Sequence, residues 1–203
     1  MMILLDQASI ESILEDRRAK GNRTREEVWE GVTYIMPDPN NEHQRIALFF
    51  GTVFSVCFGL EQGGDVEGSP NLSDRVESWT DNFRNPDMAY FSPTSKAEDH
   101  GSFWYGGPDF LLEIVSPGDI CRDKLPFYAS IGTKEVLILD RDPWKFELYQ
   151  LKRGRLRLTD VADPGHAKAV SSGVVPLTFQ LVRSKPRPKI RIRNTETDQE
   201  WKF

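Results

Sequence analysis

The chain has 203 residues, 38% hydrophobic and 28% charged, with 11% aromatics and a formal net charge of −5, a composition that excludes intrinsic disorder of the whole chain and gives no global attraction to nucleic acid or anionic membrane. Only Cys57 and Cys121 occur, which excludes a disulfide framework and a cysteine-built zinc site. No run approaches the ~18 apolar residues of a membrane span, and MMILLDQASI turns polar at once, so no membrane association is expected and the reducing cytoplasm is the expected compartment.

In SIESILEDRRAK (residues 9–20), Ser9 precedes Ile10, Ile13 and Leu14 at helical spacing, and Gly21 follows, which predicts a short helix. EEVWEGVTYIMP predicts a hairpin turning at Glu30-Gly31, and PDPNN a turn that leaves Asn40 or Asn41 to cap a helix. That helix is EHQRIALFFGTVFSVCFG: Ile46, Phe49, Phe50, Val53, Phe54 and Cys57 form one apolar stripe to lie against a sheet, with His43 in the first turn and Gly59 as the stop. Residues 60–85 are polar and glycine-rich, and a long excursion with one short strand is expected there.

From Pro86 strands dominate: PDMAYFSP, a loop through Gly107, then PDFLLEIVSP, whose LLEIV is apolar on both faces except at Glu113 and so predicts a central strand covered on both sides. A short helix is expected over residues 122–131, capped by Asp123 with Pro126 in its first turn. KEVLILD follows as another apolar strand, and KFELYQL and RLRLTDV as a meander around Lys152–Gly154. The expected class is α+β (α/β) around a mixed sheet. The last 21 residues, 183–203, carry seven basic and three acidic residues, leaving −9 on residues 1–182. They read as a basic C-terminal tail, either solvated or an arm for phosphates, behind a single domain over 1–182.

Three residues carry the expected chemistry. Glu113 is a carboxylate among Leu111, Leu112, Ile114 and Val115, so it needs a cation, a set of hydrogen bonds or a proton; a satisfied core ion pair is the alternative. Asp87 opens a strand that can return beside residues 109–115, and two converging carboxylates are reconciled by a divalent cation such as Mg2+; a turn role is the alternative. Lys124 follows Glu113 after SPGDICRD and can reach back over the strand end, where an ammonium can orient a nucleophile or offset phosphate charge; alone it is a surface lysine. Asp109 lies too far along the strand from Glu113 to share one ion and reads as a turn residue. Tyr128 and Trp104 read as packing residues.

PDMAYFSP, PDFLLEIVSP, KLPFYASIG and KEVLILDRDP, preceded by EEVWEGVTYIMPDPNNEHQRI, resemble in this order the Uma-two family of restriction endonucleases within the PD-(D/E)XK nuclease superfamily. The resemblance runs from about Glu26 to Leu151. It implies a restriction-endonuclease-like mixed β-sheet core flanked by helices, and a metal-dependent endonuclease using Mg2+ (or Mn2+) on DNA. Asp87 is then the motif aspartate and Glu113 the second acidic metal ligand. Val115 stands where the superfamily lysine usually does, and Lys124 matches the family's displaced lysine. Glu27 and His43 match supporting positions, and Asp140 a turn or supporting one. A nuclease cutting both strands would suit a symmetric homodimer. The competing expectation is a catalytically inactive nuclease-fold binding or assembly module, with the carboxylates paired to Lys124.

Overall fold

The computed structural model describes residues 25–36, 39–60, 62–116, 118 and 120–203, with positions 12, 15, 16 and 19 before them; the helix expected over 9–20 otherwise lies outside the described residues. Three sheets are present. The central one has the order β12 (Arg155–Ala162), β11 (Trp144–Lys152), β10 (Glu135–Arg141), β9 (Phe110–Ile114), β6 (Met88–Phe91), β3 (Asp65–Gly68). Only β9 and β10 are parallel, and the other pairs are antiparallel. A parallel pair needs a crossover, which the segment containing the short helix α2 (Leu125–Ser130) supplies.

Every side chain of β9 is buried, as the near-continuous apolar run requires of a strand covered on both faces. One face is covered by α1 (Asn41–Phe54), whose Ile46, Phe50, Val53 and Phe54 pack with Phe110, Leu112, Ile114, Leu137 and Leu139. Asn40 caps this helix by accepting the His43 N–H at 2.9 Å. The helix continues into a π-turn over Ser55–Gly59. The wider turn rotates the last residues, so that Phe58 rather than the expected Cys57 enters the core. The other face packs Leu111, Val136 and Ile138 against Phe127 and Tyr128.

A second sheet has the order β2 (Val32–Met36), β1 (Arg25–Trp29), β5 (Phe83–Arg84), β4 (Leu72–Ser73), β8 (Trp104–Tyr105), β7 (Glu98–Asp99). The hairpin β1–β2 turns at Glu30-Gly31 with positive φ at both residues (48° and 79°), as a tight two-residue turn needs. Residues 60–85 hold three short strands, β3, β4 and β5, rather than one. Two-residue strands carry too few residues to show a period in sequence.

The third sheet, β13 (Ala169–Ser171), β14 (Leu177–Val182), β15 (Lys189–Asn194), β16 (Glu200–Lys202), corrects the expected tail. Residues 183–203 are not a free basic arm. KIRIR alternates, turning Ile190 and Ile192 into the core beside Phe179 while Arg191 and Arg193 stay outside. Four of its seven cations pair with acids: Arg187 with Glu42 at 2.9 Å, Arg191 and Lys202 with Glu200 at 3.5 and 2.6 Å, and Arg193 with Asp198 at 2.7 Å.

Candidate active site

The site forms where β6 and β9 end side by side and β1 and the α2 turn close over them. Met88 pairs with Leu112, which sets Asp87, one residue ahead of β6, beside the end of β9. There the Asp87 N–H donates to the Leu112 carbonyl at 3.1 Å, and its Oδ2 accepts the Ile114 N–H at 2.7 Å. His43, in the first turn of α1, brings Nε2 to 3.2 Å from the same Asp87 oxygen and 3.1 Å from the Ile114 carbonyl. Both neighbours are acceptors, so Nε2 carries the hydrogen.

Glu113 points to the opposite face of β9 from Leu112 and Ile114, toward α2. Its Oε1 accepts the Tyr128 hydroxyl at 2.6 Å and faces the Lys124 ammonium at 3.1 Å. Lys124 in turn meets Oε1 of Glu27, from β1, at 2.7 Å. Glu27 is fixed by two further donors, Trp29 Nε1 at 2.8 Å and the Asn85 N–H at 3.1 Å. Glu27, Glu113 and Lys124 are each at most 4% exposed, and Asp87 is 8% exposed. Glu113 Oε2 makes no hydrogen bond among the described residues, yet it is not one of the oxygens sealed from solvent without a partner.

The electrostatics follow from burial and neighbours. Burial drives the Glu113 carboxyl up to about 8, with the Lys124 ammonium opposing and the Asp87 and Glu27 charges adding to the rise. Burial acts against the charged form of Lys124 as well, but Glu113 and Glu27 outweigh it and hold the ammonium above its ordinary value. Burial likewise works to raise Asp87, and the His43 hydrogen bond and charge, with the Ile114 N–H, overcome it and leave the carboxyl below its usual range. Two carboxyls at one strand end are thus pushed apart in acidity, and Lys124 stays a cation at neutral pH.

The structure brings together Glu27, Glu113 and Lys124 in direct contact, and Asp87 and His43 in a second contact at the same strand end. It places Lys124 differently from the expected helix start: Cys121–Lys124 form a 3-10 turn, in which the Asp123 N–H bonds the Ile120 carbonyl, and Lys124 rather than Asp123 stands at the α2 boundary. Asp109 is confirmed as a turn residue, accepting the Ser92 N–H at 2.7 Å and pairing with Lys134. Asp140 pairs with Arg122 at 3.2 Å, which also holds Glu147 at 2.9 Å. Trp104 stacks on Phe91 in the core, with centroids 3.7 Å apart. Tyr128, expected only to pack, is fully buried and also holds Glu113; its spacing of four from Lys124 was the available signal. Trp29 and Asn85 gave no comparable signal.

Whether these residues suit a divalent cation turns on their donors. Among the described residues no group of three or more His, Cys, Asp or Glu side chains converges as metal ligands, so a closed zinc-type cage is absent there. The set is oxygen-based: two carboxylates, one with an unbonded oxygen, and the Ile114 carbonyl beside them. Mg2+ is commonly bound through one or two carboxylates, with waters and substrate phosphates completing its shell, and this set fits that habit.

The model of a family named Uma2 and described as "putative restriction endonuclease" matches residues 13–181. Among solved structures, the chain is similar to "a putative nuclease belonging to DUF820" from Anabaena variabilis, with a TM-score of 0.59 and 19% identity, covering 78% of this chain and 89% of that one. That likeness establishes a shared fold. No curated protein matches the sequence. No helix among the described residues is long and apolar enough to cross a membrane.

Proposed function

The chain belongs to the Uma2 family, and from that premise we propose that it is a Mg2+-dependent endonuclease hydrolysing phosphodiester bonds in DNA. The observation that carries the proposal is the unbonded Glu113 Oε2, held beside Asp87 while Lys124 and Tyr128 occupy the other oxygen. The family description and the neighbour described as a nuclease support the reaction class.

Asp87 and Glu113 would hold the ion, whose chemistry here is to acidify a water and to neutralise charge on the phosphate. The rest is done by the chain. His43 and the Ile114 N–H fix the Asp87 carboxylate. Tyr128 fixes Glu113 and adds a donor that helps to compensate its buried charge. Lys124 is held charged by Glu27 and Glu113, so it acts as a donor and positive charge rather than as a base. In that role it orients the attacking water or offsets charge on the leaving oxyanion.

In a nicking assay on supercoiled plasmid, the protein is expected to cleave with Mg2+ or Mn2+ and to stop when EDTA is added. Asp87→Asn, which keeps an acceptor for the Ile114 N–H, is expected to lose activity by about 10²-fold or more, with an unchanged circular dichroism spectrum. Equal cleavage by the two proteins, or cleavage indifferent to EDTA, would overturn the proposal.

One observation favours the second reading, a nuclease fold kept as a binding or assembly module. Lys124 already compensates both Glu27 and Glu113, so this buried network is closed without an ion. That reading requires intact DNA after long incubation and no metal binding at millimolar concentration.

A further inference from the structure

Arg84 lies three residues before Asp87, in β5, and is 5% exposed. Its guanidinium is clamped between two aromatic rings, 4.4 Å from the Trp29 ring centre and 4.3 Å from that of Phe127. Both rings adjoin the site: Trp29 donates to Glu27, and Phe127 precedes Tyr128, which donates to Glu113. One nitrogen, Nη1, is fully engaged, facing the Val28 carbonyl at 2.7 Å, Asn82 Oδ1 at 3.0 Å and the Phe83 carbonyl at 3.1 Å.

The other edge is free. Nε is sealed from solvent with no acceptor. Nη2 makes no hydrogen bond among the described residues but, unlike Nε, is not sealed. No carboxylate among the described residues lies within ion-pairing distance of the group, and Glu27, Glu30 and Asp74 act on it only from farther away. Burial accordingly weakens the hold on its proton relative to an ordinary arginine. A buried cation without a counter-charge is costly and points to an anion not supplied by the chain. Of the two nitrogens on this side, Nη2 is the one an anion can reach, and a charged N–H donor of this kind suits a phosphate or carboxylate oxygen. The aromatic clamp and the three Nη1 acceptors hold that side in place before any ligand arrives.

We propose that Arg84 is an anion receptor, and that its Nη2, the nitrogen of this side that solvent reaches, takes a backbone phosphate oxygen of the nucleic acid beside the Asp87–Glu113 end of the sheet. This assignment rests on the nuclease reading for the identity of the anion, but not for the existence of the site. The acidic body of the protein sharpens the need for such a receptor, since four of the seven cations of residues 183–203 are matched by acids.

The test titrates inorganic phosphate, without metal or DNA, into the full chain and follows both melting temperature and the Nε–H signals of ¹⁵N-labelled arginines. The wild type is expected to be stabilised with saturation, and one Nε–H, absent from the spectrum of Arg84→Lys, is expected to shift. Arg84→Lys keeps a positive charge but loses the clamped guanidinium that holds Nη2 in place, and its phosphate affinity should fall at least 10-fold. With a DNA duplex under non-cleaving conditions, Arg84→Gln should lower the slope of log affinity against log salt by about 0.9, the loss of one phosphate contact. No saturable phosphate binding, or equal binding by wild type and Arg84→Lys, would overturn the assignment. Phosphate binding at Arg84 in a protein that never nicks DNA would instead count against the nuclease reading alone.

Discussion

Lys124→Met is expected to lower the unfolding free energy by about 3–5 kcal/mol at pH 7, the loss found when one partner of a buried ion pair is removed. The size follows from the position. The ammonium is 4% exposed and lies 2.7 Å from Glu27 and 3.1 Å from Glu113, so its removal leaves the Glu27 carboxylate buried without its cation. Glu113, poised near 8, holds its proton at pH 7. Glu27 retains Trp29 and the Asn85 N–H, which places the loss toward the lower end of the range. Adding Glu27→Gln to Lys124→Met should therefore restore part of the stability, a coupling that only contacting residues show. Urea unfolding of the two single variants and the double variant measures it. A Lys124→Met loss below about 1 kcal/mol would mean that the ammonium is not buried between carboxylates, since that is the range of solvent-exposed pairs.

Glu113→Gln separates stability from activity. The side chain keeps its shape and an oxygen for the Tyr128 hydroxyl but loses the charge that a cation requires. Nicking is expected to fall by about 10²–10³-fold or more, while the folded protein is no less stable at pH 8. The sign follows from proton linkage. Glu113 titrates at about 8 when folded, against 4.5 unbound by the fold, so between these values the folded chain holds the extra proton. Wild-type stability must then decline as pH rises from about 4.5 to about 8. Asp87 works in the other direction at lower pH: its folded value lies below 3.8, so its contribution is present above that pH and is lost as pH falls through the folded value. Glutamine at 113 should flatten the decline, a change on the order of a few kcal/mol across the window. A Glu113→Gln protein that still nicks DNA at the wild-type rate would remove Glu113 from the reaction.

The parts of this molecule that sequence reveals are those whose pattern is long and whose neighbours agree. The α1 stripe, the hairpin at Glu30-Gly31 and the apolar strands around Glu113 and Ile138 each repeat a period over enough residues to be read. Glu113 stood out because burial of its neighbours left it no route to water, and Lys124 because it follows Glu113 within reach of the strand end. What was hidden depends on contacts between distant segments. β4, β5, β7 and β8 have two residues each, and β5 pairs with β1 and β4 with β8 across long stretches of chain. The segment 183–203 looked like a tail because its charges dominate its composition, although KIRIR also carries the alternation of a strand with one buried face. The π-turn after Phe54 shifted the buried face by one residue, which no helical period anticipates. The clamp around Arg84 joins β1, β5 and α2, and no single stretch of sequence contains it.

The most direct measurement is calorimetric titration of Mn2+ into the metal-free wild type and Asp87→Asn at pH 7, repeated in buffers of different ionisation enthalpy. If the end of β9 is an ion site, the wild type binds there and gives up a proton, because a carboxyl poised near 8 must ionise to accept the cation. The heat then depends on the buffer, and Asp87→Asn loses the binding. Absence of binding at millimolar Mn2+, or a titration identical in the two proteins, would contradict the account and leave Glu27, Lys124 and Glu113 as a closed ion network.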